Sequence, residues 1–160
     1  MNLDAIRRFF EPGIRRVLHF HWRFSRGLTI GVRGLVFDAQ GRVFLVKHSY
    51  VTGWHLPGGG VEHGETLVAA LARELREEGN IELSGPPELF AIYLNRRISR
   101  RDHVALYVVR SFHQTAAPQP NHEIVAHGFF APDSLPEDAT PATRRRIAEV
   151  LGGSPVAELW

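Results

Sequence analysis

The sequence of 160 residues contains no cysteine. Without cysteine there can be no disulfide, no thiolate metal site and no cysteine nucleophile. The absence of cysteine also fits the reducing environment of the cytosol, so we expect a cytoplasmic location.

The sequence also lacks the long apolar segments of membrane proteins. No apolar run approaches the ~20 residues that a membrane-spanning helix needs. The first residues, MNLDAIRRFFEPG, have no apolar stretch ending in small residues, so we expect no secretory signal. No internal repeat and no long low-complexity tract is present. With this length, these absences indicate a single domain large enough to bury its own core.

Neither sign of charge dominates, because 19 lysines and arginines are balanced by 17 acids and the formal net charge is +2. The molecule as a whole is therefore not expected to attract nucleic acid, and we expect no specific nucleic-acid partner. The local distribution of charge is more informative, since residues 1–26 carry six arginines against two acids, with five aromatic residues between them.

Residues 1–26 are predicted to form a basic, aromatic N-terminal extension. In the simpler interpretation it packs its aromatic side chains on the domain or on a second copy of the chain, as in a homodimer. In the alternative it is a basic amphipathic element that contacts an anionic surface, either a membrane or a nucleic acid.

Residues 27–160 are predicted to form one domain with strands on both sides of a central helix. The segments LTIGVRGLVFD and RVFLVKH read as strands joined in a hairpin, and three more strand-like segments follow the helix. The central helix is expected over about 66–79, with Thr66 as its N-cap. A last helix should follow Thr140, with Pro141 at its first position. This order indicates a mixed α/β layered domain.

The central helix carries Glu74, Glu77 and Glu78 on one face near its C-terminal end. Like charges three and four residues apart repel, and each acid at the negative end of the helix dipole costs about 0.3–1 kcal/mol. A sequence selected for stability alone would carry lysine there. The cluster is either an ordinary solvated surface or a set of oxygen ligands for Mg²⁺ or Mn²⁺.

The loop before the helix, LPGGGVEHGE, favours the metal site. Its glycines allow the backbone to approach a ligand closely, so that carbonyls can bind a metal and amides can bind phosphate oxygens. A loop of this kind beside a carboxylate cluster indicates metal-assisted chemistry on a phosphate ester.

The loop and helix together resemble the signature of the Nudix hydrolases. In that signature a glycine is followed six positions later by a glutamate. Eight positions after that glutamate comes an Arg-Glu pair. The pair begins a run that ends with two more glutamates, a glycine and an aliphatic residue. The matching positions here are Gly59, Glu65, Arg73, Glu74, Leu75, Glu77, Glu78 and Ile81. Asn80 stands where the family has glycine. Because asparagine is the usual second choice for the left-handed conformation, we expect Asn80 to have a positive φ. The resemblance implies an α/β/α sandwich with a mixed sheet.

The resemblance also implies a metal site that binds Mg²⁺ or Mn²⁺. Glu77 and Glu78 match the principal ligands, and the Gly59 carbonyl matches a backbone ligand. Glu74 matches a residue that binds the metal or acts as the base, depending on the family member.

Three further acids and bases have implied roles. Glu65 and Arg73 match positions that support the motif, with Arg73 pairing to acids and orienting them. Family members often recruit another acid from a distant loop, and Glu123 is the candidate here. The alternative for Glu123 is an ordinary surface glutamate.

Substrate contacts are predicted outside the signature. A basic loop follows the third strand-like segment, and arginine is suited to phosphate because of its planar donors. Tyrosine and histidine side chains near the glycine-rich loop could stack on a base or line the pocket. The predicted contacts are Asn95, Arg96, Arg97, His103, Tyr50 and His55. The alternatives are a solvated basic loop and aromatic residues that belong to the core.

The implied reaction is hydrolysis of a pyrophosphate bond in a nucleoside diphosphate linked to a second group. The basic loop and the aromatic candidates favour a nucleotide sugar or an ADP-ribose type of small-molecule substrate. The alternatives are a nucleoside triphosphate pyrophosphohydrolase and a non-catalytic Nudix module that senses a nucleotide. All four glutamates of the signature are present, which favours an enzyme.

Overall fold

Eight strands and two helices form the part of the chain that the computed structural model describes, residues 27–118 and 122–160. The predicted extension over residues 1–26 lies outside the described residues. The strands are β1 (Thr29–Val36), β2 (Val43–His48), β3 (Trp54–His55), β4 (Glu82–Leu83), β5 (Glu88–Leu94), β6 (Asp102–Val109), β7 (Phe112–His113) and β8 (Ile124–Phe130). The helices are α1 (Leu67–Gly79) and α2 (Pro141–Val150), and neither is long and apolar enough to span a membrane.

The strands form two three-stranded sheets and one short pair. In the first sheet the order is β1-β6-β5, with β1 parallel and β5 antiparallel to β6. In the second sheet the order is β3-β2-β8, and both pairs are antiparallel. The short pair joins β4 to β7. The predicted mixed β structure is therefore present.

The predicted hairpin between the first two strands is wrong. A turn does reverse the chain, because Asp38 N–H donates to the Arg42 carbonyl at 3.0 Å and Phe37 bridges to Val43. Beyond that bridge the two strands enter different sheets, and β1 pairs along its whole length with the distant β6. Turn residues determine where the chain reverses, but the long-range ladder determines the partner.

Apolar residues on the two faces of β1 belong to two different cores. Val32 and Val36 pack in a cluster with Leu71 and Leu75 of α1. The other face packs in a second cluster, which includes Ile147 of α2. Because successive strand residues point to opposite faces, the β layer lies between the helices. The predicted α/β/α sandwich is confirmed.

Helix α1 lies close to β1 because position 34 is glycine. A Cβ atom on Gly34 would come within 3.1 Å of Leu75 Cδ2 and 3.2 Å of Leu71 Cδ1. Both leucines are fully buried, and each contributes roughly 1.5–3 kcal/mol of transfer free energy. This contact fixes the distance between the helix that carries the glutamates and the sheet.

Both helices begin, and α1 ends, as the sequence predicts. Thr66 Oγ1 accepts a hydrogen bond from Ala69 N–H at 3.1 Å, and Thr140 caps α2 before Pro141. Asn80 has a φ of 49°, in the left-handed region, and its N–H donates to the Arg76 carbonyl. The predicted positive φ of Asn80 is confirmed, and the chain leaves α1 at the position where the family has glycine.

Candidate active site

The glycine-rich loop is fixed along the edge of β1 by backbone hydrogen bonds. Val32 N–H donates to the Gly59 carbonyl and Gly34 N–H to the Pro57 carbonyl, each at 2.9 Å. Gly58 has a φ of 137°, and a Cβ there would lie 3.0 Å from Arg33 Cα. Only glycine fits this conformation and this approach. The loop is thus held between β1 and the acidic face of α1.

Arg73 joins the loop to the helix. Its Nε and Nη2 atoms donate to the two carboxylate oxygens of Glu65, both at 3.1 Å, and Nη2 also donates to the Gly60 carbonyl at 3.0 Å. Its Nη1 donates to Glu74 Oε1 at 2.7 Å. Paired donors of this kind are the geometry for which arginine is suited. We call Glu65, Arg73, Glu74 and Glu77 the Arg73 cluster.

Arg73 partly offsets the negative charge of the three glutamates in the Arg73 cluster. The hydrogen bond from Arg73 lowers the pKa of Glu65, and the bonds to Glu65 and Glu74 raise the pKa of Arg73. Glu77 is the outer member, since its side chain is 59% exposed and its Oε2 lies 3.5 Å from Arg73 Nη1. Arg73 therefore pairs with acids, as the resemblance implies.

Glu78 belongs to a different environment. Its Oε2 accepts a hydrogen bond from Gly58 N–H at 2.7 Å, and its Oε1 lies 3.5 Å from His48 Nε2. Ligand atoms of His48, Glu78 and Glu123 all lie within 4.8 Å of one another. We call these three residues the Glu78 group.

Burial makes the charge on Glu78 unfavourable. The pKa of Glu78 is raised to about 7, chiefly because the carboxyl is removed from water. The Gly58 hydrogen bond and the nearby charge of Arg33 lower this pKa, while the charges of Glu74 and Glu123 raise it. A cation held beside Glu78 would reverse this penalty.

Glu123 reaches Glu78 because β8 begins beside the end of β2. Ser49 N–H donates to the Glu123 carbonyl at 2.8 Å, and the pairing of the two strands shifts register after Lys47. Tyr50 Oη donates to Glu123 Oε1 at 2.7 Å. The pKa of Tyr50 is raised to about 12 by burial and by this carboxylate.

The predicted substrate residues divide between two places. Tyr50 and His55 surround the Glu78 group, with ring centroids 5.2 and 5.8 Å from that of His48. Asn95 lies elsewhere, in the wall of a cavity of about 450 Å³ that is also lined by Arg33, Gly59, Gly60 and Asp102.

The other predicted substrate residues on and after the basic loop are not part of that cavity wall. Arg96 and Arg97 are exposed on the loop between β5 and β6, and His103 lies within β6. Asn95 itself is oriented by Asp102, whose Oδ2 accepts from Asn95 Nδ2 at 2.9 Å. These residues place one amide and one carboxylate in the cavity.

Two residues of the site were not predicted from the sequence. His48 lies on the same face of β2 as Phe44 and Val46, which pack in the core. A polar residue at the end of this alternating apolar pattern was the signal that could have identified it. Arg33 similarly interrupts an apolar strand. Its Nη1 donates to the Leu56 carbonyl at 3.1 Å and to the Gly58 carbonyl, and so holds the glycine-rich loop against β1.

The Gly59 backbone lies directly beside Glu74. A Cβ on Gly59 would come 2.6 Å from Glu74 Cδ, so a side chain there would displace the carboxylate. The Gly59 carbonyl accepts the hydrogen bond from Val32 N–H, as noted above. Its role as a metal ligand stays a prediction.

The donor set of the site fits a divalent cation. Glu78 and Glu123 offer oxygen atoms close together, one of them on a buried carboxyl with a raised pKa, and Glu74 lies near enough to raise that pKa further. Hard divalent ions bind such carboxylates, and neutralise them. The residues therefore suit the metal that the resemblance implies.

Comparison with known proteins identifies the family. The family model described as the NUDIX domain matches residues 27–150. The chain belongs to the Nudix hydrolase family. A MutT-like protein of Streptomyces ambofaciens is 29% identical over 126 residues, which cover 79% of each chain. A crystal structure of a MutT Nudix hydrolase from Burkholderia pseudomallei is similar with a TM-score of 0.65 and 27% identity, covering 78% of this chain and 98% of that one.

A third similarity is shorter. An RNA pyrophosphohydrolase of Halorhodospira halophila is 37% identical over 73 residues, 46% of this Nudix chain and 39% of that protein. The match thus spans less than two thirds of that relative. Together the comparisons confirm the predicted enzyme class, a Nudix pyrophosphohydrolase.

Proposed function

We propose that this enzyme hydrolyses a pyrophosphate bond in a nucleoside diphosphate linked to a second group, at the Glu78 group and the Arg73 cluster. The observation that carries the proposal is the convergence of Glu78 and Glu123, from two distant parts of the chain, beside the glycine-rich loop. A surface cluster of acids would not bury one member and raise its pKa to about 7.

The metal-binding residues in this proposal are Glu78 and Glu123, with Glu74, Glu77 and the Gly59 carbonyl as the resemblance implies. Mg²⁺ or Mn²⁺ bound there would supply positive charge to the phosphoryl oxygens and to the leaving group. Glu77 is exposed, so its carboxylate is free to turn toward bound substrate and ion.

The chain's own contribution is to hold these groups in place before substrate binds. Arg73 fixes Glu65, Glu74 and the loop in one arrangement, which avoids reorganisation during the reaction. Arg33 lines the cavity, and the guanidinium donors beyond those used on the loop carbonyls can bind a phosphate oxygen.

Two carboxylates can accept the proton of the attacking water, Glu74 and Glu123. Glu74 is held by Arg73 and Glu123 by Tyr50, so each has a defined orientation. The pH profiles of Glu74→Gln and Glu123→Gln separate them. Loss of the base removes the fall in activity at low pH, whereas loss of a metal ligand lowers the activity at every pH.

For the second group we propose a sugar or ADP-ribose type of substituent. The cavity offers the Asn95 amide and the Asp102 carboxylate for hydroxyl groups and Ile98 for apolar contact. A second candidate is the 5′ end of an RNA, favoured by the similarity to an RNA pyrophosphohydrolase and by the exposed Arg96 and Arg97. A nucleoside triphosphate is the third substrate class to be compared.

The test is a substrate panel with Mg²⁺ and with Mn²⁺. It contains ADP-ribose, nucleotide sugars, nucleoside triphosphates and a 5′-triphosphorylated RNA, and release of pyrophosphate, phosphate or nucleoside monophosphate is measured. Turnover of at least one class, abolished in Glu78→Gln, is the expected result. No turnover of any substrate with either ion would overturn the proposal.

The cytoplasmic location and the homodimer stay predictions, as does contact of residues 1–26 with a membrane surface. Light scattering of the full chain measures the oligomeric state. Binding to anionic vesicles, compared with and without residues 1–26 and at two salt concentrations, tests the membrane contact.

A further inference from the structure

We propose that His48 is a ligand of the active-site ion, so that the site binds through nitrogen as well as oxygen and prefers Mn²⁺, Co²⁺ or Zn²⁺ to Mg²⁺. The proposal rests on the proposed function in one respect, that the ion at Glu78 is the catalytic one. The affinity for metal can be measured without any substrate.

The first argument is the position of the imidazole. The His48 side chain is 7% exposed, and its Nε2 lies 3.5 Å from Glu78 Oε1. This separation is too long for a strong hydrogen bond, although the two groups face each other. One ligand atom from each of His48, Glu78 and Glu123 lies within 4.8 Å of the other two.

The second argument is that the imidazole is poorly satisfied. His48 Nδ1 is buried and has no hydrogen-bond partner among the residues that the structure describes. Buried polar atoms are normally paired, and an unpaired one costs free energy. With Nδ1 unpaired and Nε2 3.5 Å from Glu78 Oε1, these contacts do not fix the proton on either nitrogen, and a neutral imidazole keeps one lone pair that can bind an ion.

The third argument is that the ring is held in place. The rings of Tyr50 and His55 lie beside it, with centroids 5.2 and 5.8 Å away. His48 also ends β2, where the pairing with β8 shifts register and brings Glu123 alongside. A ligand whose surroundings restrict its movement loses little freedom when it binds an ion.

The metal preference follows from the ligand types. Imidazole nitrogen binds later first-row ions more strongly than it binds Mg²⁺, which prefers oxygen ligands and retains its water. Two carboxylates and one histidine therefore favour a transition ion. A site built from glutamates and a backbone carbonyl alone would not discriminate in this way.

The deciding experiment is pulsed electron paramagnetic resonance of Mn²⁺ bound to the metal-free, full-length protein. A directly bound imidazole gives strong ¹⁴N modulation of the spin echo, and labelling histidine with ¹⁵N replaces it by the ¹⁵N pattern. We expect that modulation in the wild type. A bound Mn²⁺ with no coupled histidine nitrogen would overturn the proposal and would mean that His48 only adjoins Glu78.

Variants give the second measurement. His48→Phe keeps a ring between Tyr50 and His55 but removes both nitrogens, and His113→Gln changes an exposed histidine on β7 as the matched control. We expect His48→Phe to weaken Mn²⁺ and Co²⁺ binding by about 10–100-fold and Mg²⁺ binding by less than about 3-fold. The control should leave all three affinities unchanged. Equal losses for all three ions in His48→Phe would contradict the proposal.

These outcomes are independent of catalysis. If His48→Phe does not fold, as circular dichroism would show, His48→Gln takes its place, and the ¹⁴N signal must persist in His55→Gln and be lost in His48→Gln. Turnover with Mg²⁺ but no nitrogen coupling would overturn this inference and leave the proposed function intact. Nitrogen coupling without turnover of any substrate would overturn the proposed function and leave the ligand assignment standing.

Discussion

Two groups of acids share helix α1, which carries Glu74 and Glu77 of one group and Glu78 of the other, and their charges are balanced in different ways. In the Arg73 cluster a guanidinium lies between the carboxylates, with bonds of 3.1 Å to Glu65 and 2.7 Å to Glu74. In the Glu78 group the neighbouring cation, Arg33, donates to loop carbonyls and not to Glu78.

This difference indicates what each group does. In the Arg73 cluster one guanidinium bonds to the acids that hold the loop to the helix, so their arrangement does not depend on an ion. The acid that faces His48 and Glu123 is buried with a raised pKa, so its charge is favourable only when a cation is added. Glu65 and Glu74 are thus held by a cation of the protein itself, whereas Glu78 is bonded to a backbone amide.

Substitutions of Glu78 and Glu77 test the difference between the two groups of acids most strongly. Glu78→Gln removes a carboxylate from the metal-binding group, and we expect kcat/KM to fall by more than about 100-fold, since even indirect supports of a metal ligand cost about 10–100-fold. Metal affinity, measured by calorimetry, should fall as well.

Glu77→Gln provides the matched change on the same helix. We expect it to lower kcat strongly while changing the affinity of the substrate-free protein for metal less than Glu78→Gln does, because Glu77 is exposed and lies outside the Glu78 group. Activity retained within a few-fold in Glu77→Gln would show that it is not a ligand.

Arg73→Ala should remove the hydrogen bonds that hold the Arg73 cluster together. Glu65, Glu74 and Glu77 would lose their shared cation, and we expect the free energy of unfolding to fall by about 3 kcal/mol. Arg73→Lys should recover only part of this, because an ammonium cannot make the paired bonds to Glu65. Urea denaturation of the metal-free protein measures both, and equal stability of the lysine variant and wild type would show that the paired geometry is unimportant.

The pH dependence of the metal-free protein tests the buried charge. The pKa of Glu78 is about 7 in the folded state, against 4.5 for an unperturbed glutamate, so between these pH values the folded state holds a proton that the unfolded state has lost. Stability therefore falls as the pH rises from about 5 to 7.5. We expect a contribution on the order of 2 kcal/mol.

The control is Glu78→Gln, which lacks this group and should lose less stability over the same pH range. His48 and His55 have lowered pKa values and act in the opposite direction, so the difference between wild type and variant isolates Glu78. Saturating Mn²⁺ should make the stability of the wild type depend less on pH near pH 7. Identical curves for the two metal-free proteins would show that Glu78 is not buried as described.

The smallest expected effect concerns the end of the helix that carries both groups. Asn80→Ala should cost about 1 kcal/mol, because alanine tolerates a φ of 49° poorly. Asn80→Gly should be nearly neutral, since it fits this φ but loses the bond from Asn80 Nδ2 to the Ala116 carbonyl at 2.9 Å. Thermal denaturation ranks the three proteins, and an alanine variant as stable as wild type would contradict the conformational argument.

Local features of this fold could be predicted from the sequence. Thr66, Thr140 and Asn80 act through hydrogen bonds and dihedral angles within a few residues, and those are encoded by neighbouring side chains. The signature likewise lies in one continuous loop and helix.

Features that depend on distant segments could not be predicted in this way. The pairing of β1 with β6 is determined by contacts across the sheet, which is why the hairpin prediction failed. His48 was missed for the same reason, because its significance depends on Glu78 and Glu123. Glu123 was found only through resemblance, and its partner Tyr50 is 73 positions away in the sequence.

The register shift between β2 and β8 has a consequence for comparing relatives by sequence. Lys47 pairs with Ala126 but His48 pairs with Ile124, so Val125 is one residue more than the ladder requires. A relative without that extra residue can carry its acid at a neighbouring alignment column and still place it at the same point in space. An alignment column is therefore a poor guide to which acid completes the site, and superposed backbones should decide it.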